Sequence, residues 1–140
     1  MKLLIVIAVL MSSVPCVCLA DETFTVRDPD GRIAEKHVKS GDVVKVYDAS
    51  GRLIRTEKRR GSITESRDSW GRVIQRDKQD GGNVRVQDPS GRIIRRERRT
   101  GDTTVVRDPQ GKVIEKKVRH GDRIEVRDAS GRLKRTEKKR

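Results

Sequence analysis

From Val26 to the end of the chain the sequence repeats every 20 residues without an insertion or deletion. Aspartate recurs at Asp28, Asp48, Asp68, Asp88, Asp108 and Asp128. Glycine follows three residues later, at Gly31, Gly51, Gly71, Gly91, Gly111 and Gly131. A cation and an aliphatic come next, as in Arg32-Ile33 and Lys112-Val113. A second glycine marks the midpoint of each unit at Gly41, Gly61, Gly81, Gly101 and Gly121. A fixed period of this length is the mark of a repeat architecture, in which each copy is one supersecondary unit. Residues 46–60 and 126–140 agree at 12 of 15 positions, so the array grew by copying.

Each unit reads as strand, turn, strand, turn. In the Asp-x-x-Gly turn, Asp accepts backbone hydrogen bonds and Pro at the second place presets φ. Gly at the fourth tolerates positive φ, which gives a type I turn closed by a glycine bulge. The strand before each Asp alternates, with Val44 and Val46 apolar while Lys45 and Tyr47 face away. The strand after each Gly opens with an aliphatic pair and turns charged, as in Ile93-Ile94 followed by Arg95 to Arg99. Eight residues between glycine turns are too few to favour a helix. The expectation is an all-β fold. Up to twelve antiparallel strands run as a meander of tandem hairpins, in a curved or loosely rolled sheet.

Composition makes that sheet thin. Aromatics are 2% of the 140 residues, charged residues 39%, and the net charge is +13. Such a chain approaches the disordered class, and folding only on binding or self-association is the competing expectation. Cross-strand ion pairs would add about 0.2–1 kcal/mol each.

Residues 1–20 stand apart. Lys2, an apolar run from Leu3 to Met11, a break at Ser12, Ser13 and Pro15, and Ala20 before Asp21 have the layout of a cleaved secretory signal. The run is short for a membrane span, and Pro15 and Val17 before Cys16 and Cys18 disfavour lipid modification. The reading is a signal over 1–20 and a six-repeat domain over 21–140, secreted or periplasmic. Both cysteines fall in the signal, so the exported domain has no disulfide or thiol site.

No constellation points to catalysis. Asp28-x-Asp30-Gly31 hints at calcium, yet those residues fit turn chemistry, and the other copies lack the second carboxylate. His37 and His120 occupy different phases of the repeat and have no partner nucleophile or third ligand. The sequence assigns no catalytic, metal or cofactor site. It does place basic residues before the midpoint turn at Lys39, Arg59, Arg99, Arg119 and Lys139, joined by Arg60, Arg98 and Arg140. These form an expected ridge along the sheet edge. The second cation column, Arg32 to Arg132, is expected to be neutralised by its neighbouring Asp. Trp70 in a turn and Tyr47 on a strand are candidate partner contacts.

The unit VYDASGRLIRTEKRRG at 46–61 resembles the YD repeat of bacterial Rhs-type surface proteins. The shared kernel is Asp-x-x-Gly-Arg-aliphatic, present in all six copies with Lys once, while the tyrosine survives only at Tyr47. The resemblance covers about residues 24–140. It implies a strand-turn build, long β-sheet shells and suggested carbohydrate binding. There is no toxin domain here, and six repeats are expected to be too few to close a shell.

Two function classes follow. The first is a non-enzymatic binder of anionic envelope polymers or lipid head groups, steered by charge. The compartment and the missing stacking aromatics disfavour nucleic acid. The second is a structural protein that pairs with itself or a protein partner through sheet edges. A toxin-accessory role rests on the family analogy alone.

Overall fold

The computed structural model describes residues 21–139, so the signal segment and Arg140 lie outside the described residues. Twelve strands alternate with tight turns. They are β1 (Glu22–Arg27), β2 (Ile33–Ser40), β3 (Val43–Asp48), β4 (Leu53–Arg60), β5 (Ile63–Asp68) and β6 (Val73–Asp80). The second half comprises β7 (Asn83–Gln87), β8 (Ile93–Thr100), β9 (Thr103–Arg107), β10 (Val113–His120), β11 (Arg123–Asp128) and β12 (Leu133–Lys139). The all-β, antiparallel meander expected from the repeat is present.

The turns form as their residues dictate. In every Asp-x-x-Gly turn the glycine N–H donates to the aspartate carbonyl at 3.0 Å, and the aspartate N–H donates to the carbonyl of the following cation at 2.9 Å. Gly91 has φ +87, a conformation that side-chain-bearing residues rarely adopt. The aspartate carboxylate also accepts from the backbone N–H four residues on, as Asp28 does from Arg32 at 2.8 Å. A further contact explains the slot before each Asp. Arg27, Arg67, Arg107 and Arg127 donate to the carbonyls of Gly31, Gly71, Gly111 and Gly131. Gln87 does the same to Gly91. A guanidinium or amide there caps the turn, so arginine in that slot has a structural use.

The meander closes. β1 pairs with β12, so every strand is hydrogen-bonded on both sides and the twelve strands form a barrel. The curved, rolled sheet expected from the repeat is rolled fully shut, which corrects the expectation that six repeats are too few to close. Register supplies the reason. Val46 faces His37 on β2 and Arg55 on β4, and Arg55 is the counterpart of Glu35, two residues up the strand. Each repeat therefore advances the register by two residues. That stagger tilts strands around a cylinder, typically by about 35–45°. A bulge after each Asp-x-x-Gly turn, such as the one between Val46 and Tyr47, adds twist. At the seam Val26 faces Glu137 on one side and Glu35 on the other, the same step seen inside the array. The first and last repeats thus meet as any two neighbours do.

The barrel is hollow at the backbone level. Only adjacent strands approach within 8 Å between Cα atoms. The fully enclosed apolar core is one ring: Val26, Val46, Val86, Val106 and Val126, with Ser66 as its sixth member. That is one buried valine in each of five repeats and Ser66 in the sixth.

Candidate functional site

Alternation along each strand sends every second side chain to the lumen. Val44, His37 and Lys39 line one lumen cavity together with Val26. The lumen is consequently built in rings, each with one residue per repeat. Strands β1, β3, β5, β7, β9 and β11 contribute uncharged rings, namely the valine ring and a second formed by Phe24, Val44, Thr64, Val84, Thr104 and Ile124. The other six strands contribute charged rings between them.

The first charged ring holds three arginines, Arg55, Arg95 and Arg135, against Glu35 and Glu115, with Gln75 in the sixth place. The second holds Glu57, Asp77, Glu97 and Glu137 against Lys117, with His37 in the sixth place. The two rings are tied along the strand: Arg55 Nε donates to Glu57 at 2.8 Å, and Arg135 pairs with Glu137 at 3.3 Å. They are also tied around the barrel, where Arg135 reaches Glu115 at 3.4 Å and Lys117 reaches Glu97 at 3.2 Å. Burial works to raise the Glu115 carboxyl, but Lys134 and Arg135 outweigh it and hold the group below the usual glutamate range.

Repeats alternate in this pattern. Arg-x-Glu stands at 55–57, 95–97 and 135–137, while the intervening copies read Glu-x-His, Gln-x-Asp and Glu-x-Lys. Gln75 therefore leaves Arg95 without the carboxylate that Arg55 and Arg135 find on the preceding repeat, two strands away. Arg95 Nε is buried and makes no hydrogen bond, although Glu97 lies 3.2 Å away. Asp77 is held mainly by Gln75 at 2.7 Å, and burial pushes its carboxyl above the usual range.

The third charged ring rims the midpoint-turn mouth. Lys39, Arg59, Arg99 and Arg119 occupy it and are exposed, with Gln79 in the same slot. Lys139 continues it by backbone register, opposite Phe24. Arg59 and Arg99 donate Nε to the carbonyls of Gly61 and Gly101, at 3.1 and 3.0 Å, which fixes their stems at the rim. Lys39 lies 3.7 Å from Glu22. Arg119 has no side-chain hydrogen bond or ion pair among the described residues.

The expected edge ridge is thus a ring around a mouth, because the sheet has no edge. Its membership also changes. Arg60 and Arg98 neighbour Arg59 and Arg99 on their strands, so they project from the outer wall. Arg140 lies outside the described residues. The second cation column is neutralised at four positions: Arg52, Arg72, Arg92 and Arg132 pair with Asp48, Asp68, Asp88 and Asp128 at 2.7 to 3.0 Å. Trp70 is 80% exposed at its turn tip, with the Arg72 guanidinium 5.0 Å from the ring centre. Tyr47 borders a shallow outer hollow with Ile33 and Val38. The two candidate contacts sit on different hairpins and do not form one site.

Two of the cavities lined by lumen residues lie at opposite ends of the barrel. One, about 360 Å³, lies towards the midpoint mouth and is lined by Phe24, Val44, Ile124, Lys39, Arg119 and Glu57 among others. The other, about 520 Å³, reaches Ile74 and the three arginines at the opposite end. No helix among the described residues is long and apolar enough to cross a membrane. The outer wall carries Lys36, Lys45, Lys58, Glu65 and Arg67, where a membrane barrel would present an apolar band. No family model matches the chain, and no curated protein matches it either.

Proposed function

We propose that the protein is an exported, non-enzymatic binder of anionic envelope polymers, acidic glycans or lipopolysaccharide, that engages them at the midpoint-turn mouth. The carrying observation is the ring of Lys39, Arg59, Arg99 and Arg119, four exposed cations in one phase of the repeat at one level of one mouth. Alternate strands set neighbouring members of the ring roughly 10 Å apart, twice the strand spacing, with Gln79 between Arg59 and Arg99. Such a circle presents several phosphate, sulfate or carboxylate contacts at once to a flexible polyanion. A net charge of +13 adds long-range steering. Lumen carboxylates held in ion pairs favour a binding role over general acid–base chemistry. The signal-like layout of residues 1–20 supports export. The Asp-x-x-Gly-Arg kernel supports a shared hairpin build with YD-type surface proteins. Every described strand is already paired on both sides, which favours the mouth over a strand edge as the contact surface.

Heparin-resin retention tests the proposal. The protein should elute only above physiological salt, with a steep salt dependence. Replacing Arg59, Arg99 and Arg119 by Gln should move elution down further than replacing the outward Arg60, Lys58 and Arg98. Equal shifts, or elution of the parent at physiological salt, would overturn it.

A further inference from the structure

The cavity of about 360 Å³ behind the midpoint mouth is layered in charge along the barrel axis. Arg119, Lys39 and the Lys138–Asp122 ion pair stand at its entrance, Phe24, Val44 and Ile124 line its wall, and Glu57 and Glu137 lie deeper. We propose that this cavity binds a short linear zwitterion, with the anionic end at the mouth, an aliphatic body against the wall and an ammonium group on the inner carboxylates. The inference rests on the same cation ring as the polymer reading and adds a small-molecule site beneath it.

The groups with charge to spare are complementary to such a ligand. Arg119 is exposed and has no side-chain partner among the described residues. Glu57 and Glu137 each commit Oε1 to an arginine on the far side, Arg55 and Arg135. Among the described residues neither carboxylate has a second cationic partner. His37 between them is occupied with Glu35 at 2.8 Å. The only cation in the inner ring, Lys117, is engaged by Glu97. The two charged levels are two residues apart on the strand, about 7 Å. A simple anion would leave each inner carboxylate with its one arginine and no second cation, and a simple amine would leave Arg119 unmatched.

The test compares 6-aminohexanoate, hexanoate and hexylamine at low salt, following amide and methyl shifts of the intact protein by NMR. The zwitterion should bind about tenfold or more tighter than either half-molecule, since it alone makes both charge-assisted contacts. Shifts should centre on Phe24, Val44 and Ile124. Arg119→Gln should remove the preference over hexylamine, and the isosteric pair Glu57→Gln with Glu137→Gln the preference over hexanoate. Unchanged circular dichroism of the variants guards against misfolding. Equal binding of the half-molecules, shifts elsewhere, or no binding by any of the three would overturn the inference. Heparin retention in the same preparation reports on the polymer reading separately.

Discussion

Ser66 interrupts an otherwise all-valine ring, and Ser66→Val should stabilise the barrel. Its counterparts Val46, Val86, Val106 and Val126 are between 0% and 1% exposed, and Ser66 is 3% exposed. The serine hydroxyl has no hydrogen-bond partner among the described residues and borders the cavity of about 520 Å³. Removing a poorly satisfied hydroxyl is worth about 1 kcal/mol, the low end for a buried polar group beside a void. The additional buried carbon contributes about 0.8 kcal/mol more. The sum is about 1–2 kcal/mol, a rise in Tm of about 3–8 °C for a domain of this size. The backbone environment already accepts valine at five equivalent positions, so overpacking is not expected. Val86→Ala is the converse change and should cost about 2 kcal/mol, from two lost carbons plus the void left behind. Thermal and urea unfolding followed by circular dichroism read both. A lowered Tm for Ser66→Val together with a neutral Val86→Ala would refute the reasoning, because the ring would then not be the packed core.

Other outcomes follow from the turns and the inner carboxylates. Gly91→Ala forces a side chain into positive φ with nothing nearby to clash, so it should cost about 1 kcal/mol in urea unfolding through backbone strain alone. Hydrogen bonds from Ser90 and Ser130, with Arg92 and Arg132, hold the Asp88 and Asp128 carboxyls down at about 2. Groups depressed in the folded state add stability that is complete above the ordinary aspartate value. That stability is lost as pH falls through the folded value. Tm should therefore drop between about pH 4 and pH 2, and Asp88→Asn with Asp128→Asn should flatten that drop. Asp77 has the opposite sign: burial raises its carboxyl, so its ionised form costs stability at neutral pH. Asp77→Asn keeps the contact with Gln75 and should raise Tm at pH 7, with the gain shrinking as pH falls through the carboxylate range.

Much of the fold is legible in the repeat because turn chemistry and alternation are local. Asp28 to Gly31 specify a bulged turn wherever they occur, and Val44 with Val46 specify one inward face. Closure is not local. It depends on how many two-residue register steps accumulate before β12 meets β1, and on twist added by six bulges. Neither quantity is written in any single copy. The bulges also separate residues that look like pairs. In Ile93-Ile94 the first residue stays in register opposite Gln87 on the outer wall, and the second is the extra residue. The candidate site was legible in part for the same reason. Lys39, Arg59, Arg99 and Arg119 share one phase of the repeat and share one ring. Arg60 and Arg98 are their sequence neighbours, and adjacency along a strand means opposite faces. The parity that places Lys39 with His37 and Glu35 is readable from the alternation, and it would have pointed to a charged interior.

Closure of β1 on β12 is the claim on which the lumen, the mouth and both binding readings stand. Thr25 and Lys138 are opposed across that seam. In an open sheet of twelve strands they would sit about 50 Å apart, eleven strand spacings. Thr25→Cys with Lys138→Cys, in a protein whose Cys16 and Cys18 are replaced by serine, should form an intramolecular disulfide under mild oxidation, because directly opposed residues meet the Cα spacing a disulfide needs. Fast-migrating monomer on a non-reducing gel is the expected result. Reduced monomer or intermolecular dimer alone would contradict the barrel.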